Sequence, residues 1–205
     1  MSQDRHKTVI SRKLPQIRST ALVAVGSNMQ SAVGDPTETL KYSINMLGRL
    51  EWVIRDVSPF YSTKAFPEGS GPDFVNAAIR AEVSGTPQQL IEQLHQIEKD
   101  VGRDRIKRWS ARTLDMDLLA LGDVVLPDPV TQRSWMKMPL EEQMTKAPDT
   151  LILPHPRLQE RAFVLVPLND VAPGWVHPVL GKTVAEMLDR LNPQDRAEVR
   201  LAKAG

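Results

Sequence analysis

Two segments of this chain open helices in the same way, and the strand-like runs around them fix the order of the fold. Asp35-Pro36-Thr37-Glu38 offers an N-cap carboxylate, a proline at the first helical position and an acid at the third. Leu40, Ile44 and Leu47 then recur at helical spacing. Thr86-Pro87-Gln88-Gln89 repeats the arrangement ahead of Leu90, Leu94, Ile97 and Val101, with Gly102 placed to end the helix. Before the first helix stands ALVAVGSN, Ala21 to Asn28, an apolar run closed by a Gly-Ser-Asn turn. Between the helices lie EWVIRDVSPFYST, which alternates in its first half, and FVNAAIRAEVS, Phe74 to Ser84; RTLDMDLLALG follows the second helix. The order is β-α-β-β-α-β. That is the ferredoxin-like split unit, an α+β fold with helices packed on an antiparallel sheet.

The remainder of the chain is less periodic. KAFPEGSGPDF, before Phe74, is rich in Gly and Pro and reads as a loop. Pro127 to Asp149 reads as an insertion loop with a single helical turn, expected to cover a ligand or to form an oligomer contact. LILPHP is extended, because the residue before a proline is pushed out of the helical region. One helix is predicted over about Gln159 to Val171 and a last one in TVAEMLDRL. Residues 1–20 form a basic arm, with Arg5, Lys7, Arg12, Lys13 and Arg18 against Asp4, and residues 21–205 a single domain. No apolar run approaches the roughly 18 residues needed to cross a bilayer. Without cysteine the chain has no disulfide, thiolate ligand or thiol nucleophile. A cytoplasmic protein, without membrane or nucleic-acid partner and monomeric, is the expectation.

The chemistry concentrates in RWSARTLDMDLLALG, Arg108 to Gly122. On a strand, Thr113, Asp115, Asp117 and Leu119 share one face, and Leu114, Met116, Leu118 and Ala120 the inward one. Two carboxylates about 6.6 Å apart repel by about 2–3 kcal/mol at an effective dielectric near 20. Divalent cations offset that repulsion, and hard ions favour carboxylate and phosphate oxygens. A D-x-D pair on the solvent face of an edge strand is the plainer reading. Arg103, Arg105, Lys107, Arg108 and Arg112, with only Asp104 opposing them, shift the balance toward a triphosphate held by metals on one side and guanidinium forks on the other. His155 stands between two prolines, with Arg161 six residues on. Asn76, in an apolar strand, offers both a donor and an acceptor to a flat heterocycle, and Phe74, Trp109 and Phe163 offer rings to enclose one.

ALVAVGSN, FYST…PDFVNAA, IEKDVGR, RWSARTLDMDLL and LILPHPRLQERAFVLVPLNDVAP, in this order, resemble the 6-hydroxymethyl-7,8-dihydropterin pyrophosphokinase family of the folate pathway. The resemblance spans about Ala21 to Leu188. It implies transfer of pyrophosphate from ATP to the pterin hydroxymethyl group, with release of AMP. It also implies two Mg²⁺ on Asp115 and Asp117, and phosphate contacts from Arg103, Arg112, His155 and Arg161. Glu98, Arg105 and Lys107 would lie on the nucleotide side, and Thr63, Phe74, Asn76, Trp109 and Phe163 in the pterin pocket. Two other readings stay open on the residues alone. A palm-type nucleotidyl transferase would also use paired carboxylates, although it usually takes them from more than one strand. An RNA-binding module would present aromatics on such a sheet, but aromatics are only 5% of this chain.

Overall fold

The computed structural model describes residues 18–65, 71–102 and 113–202. The expected order is present, with additions. Strand β1 (Ser19–Ser27) leads to helix α1 (Pro36–Arg49); β2 (Val53–Val57), β3 (Tyr61–Thr63) and β4 (Phe74–Val83) follow, then α2 (Pro87–Asp100) and β5 (Asp115–Leu121). Both capping boxes form: Asp35 accepts from the Glu38 N–H at 2.9 Å and Thr86 from the Gln89 N–H at 3.3 Å. Gly102 takes the positive φ of +86° that ends α2.

Every pairing in the sheet is antiparallel, in the order β5-β1-β4-β3, with β2 also on β4. This is the ferredoxin-like order. The predicted second strand is two strands, because Pro59 has no N–H for a ladder and Ser58 turns inward instead. The buried Ser58 exchanges hydrogen bonds with Ala78, its N–H donating to the Ala78 carbonyl at 2.9 Å and its hydroxyl accepting from the Ala78 N–H at 3.0 Å.

One sheet face packs on α1 and α2. Val23, Val25, Ile79, Ala81, Leu114, Met116 and Leu118 meet Leu40, Leu47, Leu90, Leu94 and Ile97 there, all buried. The opposite face is covered as well, so Leu119, expected beside Asp115 and Asp117 on the face away from the core, is buried. Here α5 (Ala162–Val171) and α6 (Val184–Asp189) bury Leu22, Ala78, Leu119 and Ala120 with Val164, Leu165, Leu168, Val184 and Met187. Ala120 was expected on the other face. The register of β5 shifts against β1: Val23 opposes Leu118 while Leu22 opposes Ala120, so Leu119 is an extra residue and the alternation slips by one.

Two further expectations are corrected. Residues 127–149 hold two helices, α3 (Pro129–Lys137) and α4 (Leu140–Thr145), rather than a loop with a turn. The helix predicted over about Gln159 to Val171 ends as expected but starts later, at Ala162; its first residues form a short 3-10 turn, Leu158–Glu160, broken from α5 by Arg161 in an extended conformation. The C-terminal part adds a two-stranded sheet, β6 (Val176–His177) with β7 (Lys182–Thr183), then α7 (Pro193–Ala197) and β8 (Arg200–Leu201), which pairs with β3. Among the described residues no helix is long and apolar enough to cross a membrane.

His177, fully buried, makes the fold sensitive to acid. Its Nδ1 accepts from the Val179 and Leu180 N–H groups at 3.2 and 3.3 Å, and burial pushes its pKa down from 6.5 to about 4. The unfolded chain binds a proton in that window that the folded chain refuses. Stability is therefore full above about pH 6.5 and declines as the pH falls toward 4, by roughly 3 kcal/mol at the limit. His177→Asn keeps an acceptor and removes the titration. Thermal melts between about pH 7 and about pH 4.5 should show a shallower decline in the variant, and equal slopes would remove His177 from the account.

Candidate active site

The Gly-Ser-Asn turn that ends β1 ties down two approaching segments. Ser27, fully buried, donates its hydroxyl to the Thr113 carbonyl at 2.6 Å, just before β5 begins. Asn28, also buried, donates Nδ2 to the Pro72 carbonyl at 3.1 Å, just before β4 begins. The starts of the two strands that carry the candidate residues are thus fixed against the same turn.

Cross-strand partners share a sheet face, so the register places the side chains. Asp115 opposes Gly26, Gly26 opposes Asn76, and Asn76 opposes Tyr61. Two residues along, Asp117 opposes Ala24. Asp115 and Asn76 therefore face the same way two strand spacings apart, about 10 Å. Gly26 between them has no side chain to fill the space. The gap is needed, since a Cβ at Gly26 would lie 2.6 Å from the Asn76 Oδ1. Asn76 is 7% exposed, and its Nδ2 donates to the Thr63 Oγ1 at 2.8 Å, which leaves Oδ1 over Gly26 as an acceptor. Phe74 opposes Thr63 two residues along on the same face. Tyr61 closes the far side by donating its hydroxyl to the Asp170 Oδ2 of α5 at 2.7 Å; burial first, and this bond second, push its pKa up to about 12.

The wall over the aspartates comes from the segment that enters α5. The His155 N–H donates to the Leu119 carbonyl at 2.8 Å, so the bulged residue of β5 anchors it. The imidazole Nδ1 accepts from the Arg157 N–H at 3.1 Å. Burial first, then the nearby Arg161 guanidinium, push the His155 pKa down to about 3 despite the opposing charge of Asp115. The ring is neutral with its proton on Nε2, a donor without net charge. Burial also lowers the Arg161 pKa, while Asp117 and Asp115 act to hold it charged. Its guanidinium carbon lies 5.6 Å from the centroid of the Phe163 ring, and Phe163 is 41% exposed. The structure thus brings together Asp115, Asp117, His155 and Arg161, with Phe163 against Arg161 and with Thr63, Phe74 and Asn76 farther along the same sheet face.

Glu98 has a different setting. It is 2% exposed on α2, and its Oε1 accepts from the Met116 N–H at 2.8 Å. That N–H lies between the two aspartates on the edge strand, so Glu98 holds the strand that presents them. Arg103, Arg105, Lys107, Trp109 and Arg112 lie outside the described residues. Arg157 was not singled out from the sequence. It acts on His155 and Arg161 electrostatically and pairs with Glu160, yet a lone arginine in a proline-rich stretch carries no periodic signal.

The donor set suits a hard divalent ion. Mg²⁺ is commonly held by one or two carboxylates, with water and phosphate oxygens filling its octahedron, and Asp115 and Asp117 are two carboxylates on one rigid strand. Among the described residues no group of three or more His, Cys, Asp or Glu could hold a metal ion. Arg157 and Arg161 bring positive charge to the same site.

Known proteins resemble this chain in sequence and in fold. The profile of the 7,8-dihydro-6-hydroxymethylpterin-pyrophosphokinase (HPPK) family matches residues 22–173. A 2-amino-4-hydroxy-6-hydroxymethyldihydropteridine pyrophosphokinase of Synechocystis is 32% identical over 179 residues, 87% of this chain and 79% of that protein. One from Pseudomonas aeruginosa is 34% identical over 167 residues, 81% of this chain and 88% of that protein. A crystal structure of a Plasmodium falciparum HPPK-DHPS triple mutant superposes with a TM-score of 0.61 at 13% identity, covering 86% of this chain and 44% of that one. The chain spans less than half the length of that protein, and the likeness is one of fold. With the profile running from β1 through α5 and thus enclosing the aspartate pair, His155 and Arg161, the chain belongs to the 7,8-dihydro-6-hydroxymethylpterin-pyrophosphokinase family.

Proposed function

We propose that the chain, a cytoplasmic monomer, transfers the pyrophosphoryl group of ATP to the hydroxymethyl oxygen of 6-hydroxymethyl-7,8-dihydropterin and releases AMP. The row Asp115–Gly26–Asn76 carries this reading: an acid that can hold metal-bound phosphates and an amide that can read a heterocycle face one groove with no side chain between them. The hydroxymethyl oxygen bonds to the β-phosphorus, and the bond from that phosphorus to the oxygen bridging to the α-phosphate breaks. The electron pair leaves with AMP, and the hydroxyl proton passes to solvent.

Two Mg²⁺ on Asp115 and Asp117 would supply charge neutralisation along the triphosphate and acidify the attacking hydroxyl. Arg157 and Arg161 balance the phosphate charge from the opposite wall, and the neutral His155 donates from Nε2 to a phosphate or bridging oxygen without adding charge. Asn76 Oδ1 accepts from a pterin N–H, its orientation set by Thr63, while Phe74 and Phe163 enclose the rings. By the matching motifs, Arg103 and Arg112 join the phosphates, Arg105 and Lys107 the nucleotide, and Trp109 the pterin. Glu98 serves by fixing β5.

Binding to this groove is measurable without turnover. In a fluorescence titration of the pterin with Mg²⁺ and a non-hydrolysable ATP analogue, Asn76→Ala should weaken pterin binding by about tenfold or more, because the polar edge of the ring loses its partner. Unchanged affinity would place the heterocycle elsewhere.

A further inference from the structure

Gln132 lies on α3, within the segment to which the pyrophosphokinase reading gives no role, and it is 0% exposed. Its Nε2 donates to the Pro154 carbonyl at 3.1 Å, wholly within the interior. That carbonyl and the His155 N–H belong to one peptide group. The N–H is already bonded to the bulged Leu119 of β5 at 2.8 Å, so both polar atoms of the peptide that enters His155 are held, one from α3 and the other from the sheet. A peptide held at one atom can swing about that bond; held at both, its plane is set.

The surrounding structure keeps α3 in place for this contact. Leu126 and Leu153 exchange both backbone hydrogen bonds, at 2.9 and 3.2 Å, tying the lead into α3 to the lead into Pro154. Asp128 then caps α3, accepting from the Val130 and Thr131 N–H groups at 2.8 and 3.0 Å. A capped helix, a two-bond bridge and a buried amide converge on one peptide beside the aspartates.

We propose that Gln132 is a positioning residue for the transfer reaction, and that α3 is a brace fixing the His155 donor over the groove. The inference rests on the pyrophosphokinase reading. A displacement of about 1 Å in a catalytic group can cost about 10²-fold in rate, so a donor that swings rather than detaches should cost less, about tenfold.

Gln132→Met keeps the length and apolar bulk of the side chain and removes its donor. Its kcat should fall by about tenfold while KM for ATP and for the pterin stays within about twofold. In a His155→Ala background the same substitution should cost nothing further, since the contact acts through His155. A purely structural role predicts the opposite, an equal loss in both backgrounds, and that result overturns the proposal. Gln132→Glu guards against a folding failure. Ionised, it has no proton to give; as the pH falls through the raised pKa of a buried carboxyl it regains a donor, so its rate relative to the parent should recover. A flat ratio would also overturn the brace. A parent chain that makes no AMP would instead sink the pyrophosphokinase reading itself, which separates the two failures.

Discussion

Asp117→Ala is expected to lower turnover by about 10³-fold or more while leaving the fold intact. Interactions with a metal-bound phosphoryl group are worth several kcal/mol in the transition state, and each 1.36 kcal/mol is tenfold in rate. The packing consequences are small by comparison. Asp117 is half-buried and opposes the partly buried Ala24, so no fully buried side chain loses its cross-strand neighbour. Removing it also relieves the repulsion from Asp115 two residues away on the same face, which offsets what Arg161 loses when a nearby carboxylate disappears. Melting temperature without ligand should therefore shift by no more than a few degrees. The stabilisation that Mg²⁺ and ATP together give the parent should vanish, because a ligand stabilises only the state it binds. Near-normal turnover in the variant would remove the metal assignment.

Gly26→Ala should damage the other half of the groove. The added methyl carbon would stand 2.6 Å from the Asn76 Oδ1, and its next contacts, 3.7 Å to the Asn76 Cγ and 3.9 Å to the Val75 carbonyl oxygen, also lie on β4. Asn76 cannot yield cheaply. Its side chain is short, buried and bonded to Thr63, so relief of the clash breaks that bond and turns the acceptor away from the groove. No positive φ is needed at Gly26, and strand propensity favours alanine over glycine, so the fold should persist. The pterin KM should rise by about 10²-fold and the ATP KM by less than about threefold, read from initial rates with each substrate varied. A rise in both would mean that Gly26 serves the triphosphate as well.

The helices and strand order were legible because local signals agreed with the global fold. Two Asp/Thr-Pro-x-Glu/Gln caps and their apolar stripes leave few alternatives for the segments between them. The bulge at Leu119 was not legible. Leu118-Leu119-Ala120-Leu121 is apolar throughout, so a slip of one residue leaves no polar group misplaced and no trace in the pattern. For the same reason the second covered face was missed: a strand buried on both sides at one end still shows alternation at the end that carries the aspartates. Helix α3 has the Asp128-Pro129 signal of the other helices, yet its apolar residues form no clean stripe and its buried contact is the polar Gln132. Proline density outweighed a cap that was present. Among candidate residues, the aspartates, His155, Arg161 and Asn76 stood out by type against their setting. Arg157 did not, because its effect depends on the turn that folds it back over His155.

The proposed reaction unites a metal–triphosphate half with a heterocycle half, and the most direct test of that union is AMP formation from ATP and Mg²⁺ with and without 6-hydroxymethyl-7,8-dihydropterin. Pterin-dependent AMP, in one-to-one ratio with pterin diphosphate, is the expected result. Formation of ADP, or of AMP at the same rate without the pterin, would contradict the assignment of the Asp115–Gly26–Asn76 row as a single site for both substrates.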